Sequence, residues 1–587
     1  MKRRPRASKP EPAAAPDAPP LPAAESYSRS EVALLAIIVL VGAGLRLAAL
    51  SRSAVEHFDE GVYASNLYFG APDFAYPQQR FYAPPLLPAL IEAGMLAGLR
   101  PNVAALLPGF LAGCGTIVAL WWFGRSWFSP AVGLAAATLA ALSDFHIAYS
   151  AAALTDVLFG LWLVLAVDAI TRSLFHLDYR WAIGAGIYTG LAWWTKYNGW
   201  LPLAIEAAAL PLLWLVTPQS ILRKLGCFAT TTTIAIAVWS PYYLSLQASG
   251  GYGPISANHA KYVVGLAGWF DTAGRQIAAQ REMEGPLSAA ALGIAAVVTT
   301  WVSAGSRGKQ TVFSLGAGLV VAGGMALGLG LSSFVVLGLI GAVGLAWSLI
   351  VIFRSQRQDE ARDRSVVATC LIAVWWAGLF AATFCYWPYP RLVLPWLMAS
   401  WLGTALCFQR AADLAERRQV RQNVPHWAGL VVVAIALAGI GWFSSQRTKS
   451  PAAVAESDRA SYQKIAAQIR EQLNLTDFRV IYTCGEPALL FQLRAAGEPL
   501  VAPSRDIPDE AVTVDGKPMP TFLVLGPHAR GDRLCQEQWT ATKDKWQLVQ
   551  SYNYTPRAIV RLDLYDPRQP LATDERQLNR IEVYRLK

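Results

Sequence analysis

The chain has little charge. Only 15% of its 587 residues are Asp, Glu, Lys or Arg, against roughly 25% in a soluble globular chain. It is also poor in metal-binding signals. Its seven cysteines show no CxxC or zinc-type spacing, which excludes a zinc finger or a cystine framework as the organising element. No nucleotide-binding glycine motif stands in residues 450–587, and no internal repeat is visible. Long alternating apolar-polar runs are missing too, which argues against an outer-membrane barrel.

What is present is apolar, at 54% of residues, and it comes in runs near 20 residues, the length that crosses a ~30 Å hydrocarbon core. Such runs lie at about 31–50, 103–123, 130–145, 153–171, 181–195, 199–216, 226–243, 286–303, 311–330, 332–353, 366–385, 392–408 and 427–443. The fold class read from them is an all-α polytopic membrane protein of about thirteen transmembrane helices. Cationic residues sort onto alternate loops: Arg125, then Arg172 and Arg180, then Arg223 and Lys224, then Arg307 and Lys309, then the runs 354–364 and 410–421. By the positive-inside rule this sets the N-terminus in the cytoplasm and, with an odd count, the C-terminus on the outer face. The net charge of +10 therefore reads as an orientation signal, and no nucleic-acid partner is expected.

Three regions follow. Residues 1–28, Pro/Ala-rich with a basic start, read as a disordered cytoplasmic tail. Residues 29–445 form the membrane domain, with outer loops 52–102 and 244–285. The apolar stretch 83–99 sits between Pro84-Pro85 and Arg100-Pro101 and fits a helix lying on the outer interface. Residues 446–587 read as a small outer α/β domain: an amphipathic helix over 456–473, then strand-like runs at 478–482, 521–526, 546–552 and 559–565. Within it, Cys484 and Cys535 are candidates to pair.

A few charges stand at the outer ends of spans, where a buried charge costs ~2.5–3.5 kcal/mol even on the mild insertion scale. Asp59 and Glu60 follow the first span. Asp156 opens the fourth, Lys196 lies between the fifth and sixth, and Arg391 opens the twelfth. Each has an ordinary explanation. Lys and Arg snorkel to headgroups, Asp156 can cap a helix, and adjacent acids can be a solvated pair. Their common side is the stronger signal. A carboxylate can take a proton from a hydroxyl or amine nucleophile, and Lys and Arg can hold a phosphate whose charge grows as a bond breaks. Tyr82 and Tyr197 are placed to stack on a sugar ring, or to join the interfacial aromatic belt.

In this order the residues resemble the GT-C superfamily of polyprenyl-phosphate-sugar glycosyltransferases, in the branch of protein O-mannosyltransferases and lipid A aminoarabinose transferases. The resemblance covers about 31–410. It rests on Asp59-Glu60, the Tyr82–Leu86 aromatic-Pro-Pro-Leu stretch, Thr155-Asp156, GLAWWTKYNG around Lys196, and the Pro-Arg-Leu-x-Leu-Pro turn around Arg391. It implies that Asp59 is the catalytic base, with Glu60 supporting it or binding the acceptor. It implies that Lys196 and Arg391 hold the donor phosphate. Asp156 would orient the acceptor or touch a divalent metal, and no other cofactor is expected. Relatives often carry His before the Pro-Pro pair where this chain has Ala83; His57 and His146 are the available substitutes. The expected partners are a polyprenyl-phosphate sugar, membrane lipids and an acceptor that is a protein, lipid or glycan. The expected location is a bacterial inner membrane. The competing readings are a lipid-linked sugar flippase, which would place its binding charges nearer the midplane, and a catalytically inactive scaffold.

Overall fold

A computed structural model describes residues 27–65, 83–217, 220–248, 250–303, 332–354, 360–417, 461–473, 479–497, 501–504, 507–564 and 579–587. Eleven of the thirteen apolar runs are helices; 311–330 and 427–443 lie outside the described residues. The membrane helices are α1 (Arg29–Leu50), α4 (Pro101–Trp127), α5 (Pro130–Ala141), α6 (Asp144–Ser150), α7 (Thr155–His176), α8 (Tyr179–Thr195), α9 (Leu201–Val216), α10 (Ile221–Ala248), α13 (Pro286–Ser303), α14 (Ser333–Arg354), α15 (Glu360–Thr383) and α16 (Leu394–Arg417). Among the described residues seven helices are long and apolar enough to cross a bilayer alone, and the bent pair α5–α6 would make an eighth.

Hydrocarbon offers no water to backbone groups, so each helix must satisfy its own ends. Ser28 caps α1 through the Glu31 N–H, Ser129 caps α5 through Val132, and Ser143 caps α6 through His146. At the 64° break between α5 and α6, the released carbonyls of Ala140 and Ala141 accept from Arg46 at 2.9 and 3.2 Å. The same guanidinium lies 2.6 Å from His146 Nδ1. His146 is therefore held inside the bundle rather than at the loop end. α7 runs through the middle, with Val157, Phe159 and Leu163 fully buried, while Ile37 and Leu40 of α1 face outward, as lipid-facing side chains do.

At one end of the bundle lie the short helices α2 (Phe58–Ser65), α3 (Leu86–Leu96), α11 (Gly253–Ala260) and α12 (Trp269–Met283). At 11 residues, α3 is too short to span.

The tail folds as a small α/β unit with helices α17 (Tyr462–Leu473), α18 (Pro487–Ala495), α19 (Pro527–Gly531), α20 (Arg533–Thr542) and α21 (Ala558–Leu564). Its strands are β1 (Val480–Cys484), β2 (Val501–Ser504), β3 (Thr513–Val514), β4 (Lys517–Pro518), β5 (Thr521–Leu525), β6 (Trp546–Asn553) and β7 (Arg580–Leu586). The sheet order is β2-β1-β5-β7-β6, parallel across β2-β1-β5 and antiparallel beyond. Within the run 559–565, residues 559–564 are helix, not the expected strand, and 565 lies outside the described residues. Pro556 precedes it, and Ile559, Val560 and Leu562 are buried by tertiary packing, which overrides β-propensity. The sulfurs of Cys484 and Cys535 lie 2.7 Å apart in the tail core.

The tail shares one apolar core with the bundle: Ile465, Leu489 and Phe491 belong to the same buried cluster as Val62, Leu87 and Phe159. The expected boundary at 446 lies outside the described residues, and the described tail packs continuously with the bundle.

Candidate active site

α2 begins on its two acids. Glu60 reaches back to its own helix start, accepting from the Glu56 and His57 N–H groups at 2.9 and 2.8 Å, the geometry of a capping box. Asp59 N–H donates to His57 Nδ1 at 3.0 Å. Adjacent helix positions diverge by about 100°, so the two carboxylates face different surroundings.

Asp59 faces Arg391, whose guanidinium donates to its Oδ2. Arg391 stands on the tight turn Pro390–Val393 that feeds α16. Its Nε lies 3.9 Å from Oδ2 of Asp156. Asp156, in the first turn of α7, is in turn paired through Oδ1 with Lys196, which terminates α8. Four elements thus build one alternating row: Asp59, Arg391, Asp156, Lys196. The acids are buried, with side chains 7% and 2% exposed; Arg391 and Lys196 are 15% and 22% exposed. Each buried carboxylate has a cation beside it, as burial of charge demands, and Lys196 is the most open of the four.

Aromatic side chains surround the basic end. Tyr63 is buried next to Asp59, Arg391 and Asp156; burial and then the Asp59 carboxylate push its phenol well above the usual range, so it stays protonated. Tyr197 joins hydroxyls with Tyr242 at 2.9 Å and meets the ring of His259 edge-on. His259 Nδ1 is 2.9 Å from the Tyr386 hydroxyl, and burial followed by nearby Lys196 lowers its imidazole from the ordinary value. Backbone pairing carries this loop to the Arg391 turn: Trp387 N–H donates to Tyr262 O at 2.7 Å, and Val264 N–H to Cys385 O at 2.9 Å. Tyr82 lies outside the described residues.

Glu60 does something else. Its Oε1 accepts from Ala153 N–H at 2.9 Å, and its Oε2 also accepts from Arg557 at 2.6 Å. Burial alone would raise its pKa; Arg557 and the two capping N–H groups outweigh burial and hold it below the ordinary value. A carboxylate engaged by four donors is a bracket rather than a proton acceptor. Sequence reasoning missed Arg557. It stands 497 residues from Glu60, in a charged tail where one arginine looks like another.

Among the described residues, no three His, Cys, Asp or Glu side chains gather as a metal cluster. Asp59 and Asp156 have Arg391 between them, so the donor set does not fit a divalent ion without displacing that side chain.

Comparison with known proteins bears on this row. Residues 82–244 match the family described as dolichyl-phosphate-mannose-protein mannosyltransferase. The GT-C resemblance is thereby borne out over the stretch that carries Asp156, Lys196 and Tyr197, while Asp59 and Arg391 stand outside it. The apolar helices make the chain a multi-pass membrane protein, and its likeness to the mannosyltransferase family lies within residues 82–244. Solved structures are also similar at lower levels, two of them as follows. One is the archaeal oligosaccharyltransferase AglB from Archaeoglobus fulgidus in complex with an inhibitory peptide and a dolichol-phosphate, at 12% identity and a TM-score of 0.49, over 89% of this chain and 73% of that one. The other is ArnT from Cupriavidus metallidurans bound to undecaprenyl phosphate, at 16% identity and a TM-score of 0.41, over 95% and 98%. No curated protein matches.

Proposed function

We propose that the protein is an inverting glycosyltransferase that moves a sugar from a polyprenyl-phosphate donor to an acceptor hydroxyl on the outer face of a bacterial inner membrane. The observation that carries the reading is the Asp59–Arg391–Asp156–Lys196 row, assembled from four elements at one end of the bundle. Charges at one end suit a lipid phosphate arriving at headgroup depth, whereas a transporter would bind near the midplane.

In this mechanism Lys196 and Arg391 take the donor phosphate. Arg391 turns from Asp59 toward the phosphate oxygens, and Asp59 is released to accept the acceptor's proton. The hydroxyl oxygen attacks the anomeric carbon from the face opposite the phosphate. The bond from that carbon to the phosphate oxygen breaks, and its electron pair leaves on the polyprenyl phosphate, held by the two cations. One displacement inverts the anomeric centre. Asp156 keeps Lys196 and Arg391 apart and aimed, and Tyr197, buried and bonded to Tyr242, backs the sugar site from beside Lys196. No step requires a metal ion, since the two cations carry the leaving charge.

The test is transfer from a radiolabelled polyprenyl-phosphate sugar by the purified protein, wild type against Asp59→Asn. Loss of transfer in the variant by about 10²-fold or more is expected for a general base. Full activity in Asp59→Asn would refute the mechanism. Movement of intact donor between leaflets without sugar release would establish the flippase instead.

A further inference from the structure

The tail reaches the supports of the charged row. Arg557 enters the bundle end nearly buried, with its side chain 11% exposed, and binds three things there. It donates to Glu60 Oε2 at 2.6 Å, lies 3.6 Å from Glu56 Oε2, and donates to the carbonyl of Ala151 at 3.2 Å. Glu60 is the helical neighbour of Asp59. Ala151 begins the short link that delivers Asp156, and Ala153 in that link also donates to Glu60. The helix that follows Arg557, α21, packs against the Pro390–Val393 turn carrying Arg391 and against α12, where Arg561 pairs with Glu282. One tail segment therefore touches the supports of Asp59, Asp156 and Arg391 together.

The rest of the tail confirms a fitted joint. Gln492 Nε2 donates to the Val55 carbonyl just before α2 at 2.9 Å and exchanges hydrogen bonds with Asn102. The α18 start lies directly on Gly61, leaving no room for a side chain. The Phe58 ring packs against the imidazole of His528.

We infer that Arg557 is a positioning residue: through Glu60 and the 151–154 link it sets the placement of Asp59 against Arg391 and Asp156, so that the tail is a working wall of the active site. This rests on the transferase reading above. The guanidinium suits the task because its rigid planar fork holds a carboxylate and a carbonyl at fixed angles, whereas an ammonium is a point charge with rotating donors on a flexible stem. Charged groups facing it are Glu60 and Glu56 on the membrane side, with Tyr554 beside it on its own segment.

The experiment uses the full chain in detergent and measures kcat and donor KM for wild type, Arg557→Ala, Arg557→Lys and Asp59→Asn, with thermal stability of each recorded separately. An ångström of misplacement costs about 10²-fold in rate. Arg557→Ala is expected to lower kcat by about that factor with donor KM within about threefold, because Lys196 and Arg391 still bind phosphate. Arg557→Lys should recover part of kcat, which a mere loss of folded protein would not show as a graded change at equal stability. If Arg557→Ala does not fold, the lysine variant decides: a kcat about tenfold down at native stability supports the role. Wild-type kcat in either folded variant, with Asp59→Asn dead, would overturn the positioning role and leave the transferase standing. An unchanged kcat with a raised donor KM would also overturn it. Full activity of Asp59→Asn would instead remove the transferase reading itself.

Discussion

Gly61 offers a sharp test of the joint between the tail and the helix that carries Asp59. It directly follows Asp59-Glu60 and lies in the middle of α2. A methyl group there would overlap the backbone of Pro487 and Ala488, not a side chain that can swing aside. To reach ordinary contact, α2 and α18 must separate by roughly an ångström, and a shift of that size at a reacting group costs about 10²-fold in rate. Overpacking of this kind also costs about 1–3 kcal/mol of stability. Gly61→Ala is therefore expected to lower kcat for sugar transfer by about two orders of magnitude while donor KM stays near the wild-type value. The assay is steady-state transfer from labelled donor at saturating acceptor, alongside melting in detergent. Gly184→Ala on α8 is the control, since a methyl there meets nothing, and it should behave as wild type. Wild-type turnover in Gly61→Ala would refute the idea that tight docking sets the site.

Two further outcomes follow from the same geometry. Lys196→Ala removes a charge-assisted phosphate contact of about 1.5–3 kcal/mol, so donor affinity should fall by about tenfold or more, read as KM and as binding of polyprenyl phosphate alone; unchanged donor affinity would take Lys196 out of the phosphate site. Burial raises the Glu60 pKa, but Arg557 and two N–H groups bring it below the ordinary 4.5. Its stabilisation is thus present above the unfolded-state value and is lost as pH falls through the lower folded value. Protection of the tail against limited proteolysis should accordingly hold from neutral pH down to about pH 5 and weaken below the ordinary carboxylate range. In Glu60→Gln it should be weaker already at neutral pH; protection equal to wild type there would show that the pair does not hold the tail.

Much of the site was legible because charge is so costly at a membrane. Asp59, Asp156, Lys196 and Arg391 stood out as ionic residues at the ends of apolar runs, and the structure brings all four into one row. The family resemblance implied separate roles for Asp59 and Glu60, but their partners were not legible. Adjacent acids look alike in a sequence, and only the packing shows one facing Arg391 and the other facing Arg557. His259 and Tyr386 acquire their partnership from backbone pairing between two loops, which leaves no periodicity to detect. The run at 559–565 reads like a strand, yet its residues 559–564 lie in α21, against α12 and the Arg391 turn.

The amino-acid sequence alone determined the membrane class, most of the helices and the candidate ionic residues. These depend on local quantities: the length of an apolar run against bilayer thickness and the penalty on a charge beside it. The tertiary structure decided which charge meets which, and that Arg557 of the tail pairs with Glu60 beside Asp59. Those outcomes depend on contacts between residues hundreds of positions apart, whose energies exist only once the chain has brought them within a few ångströms.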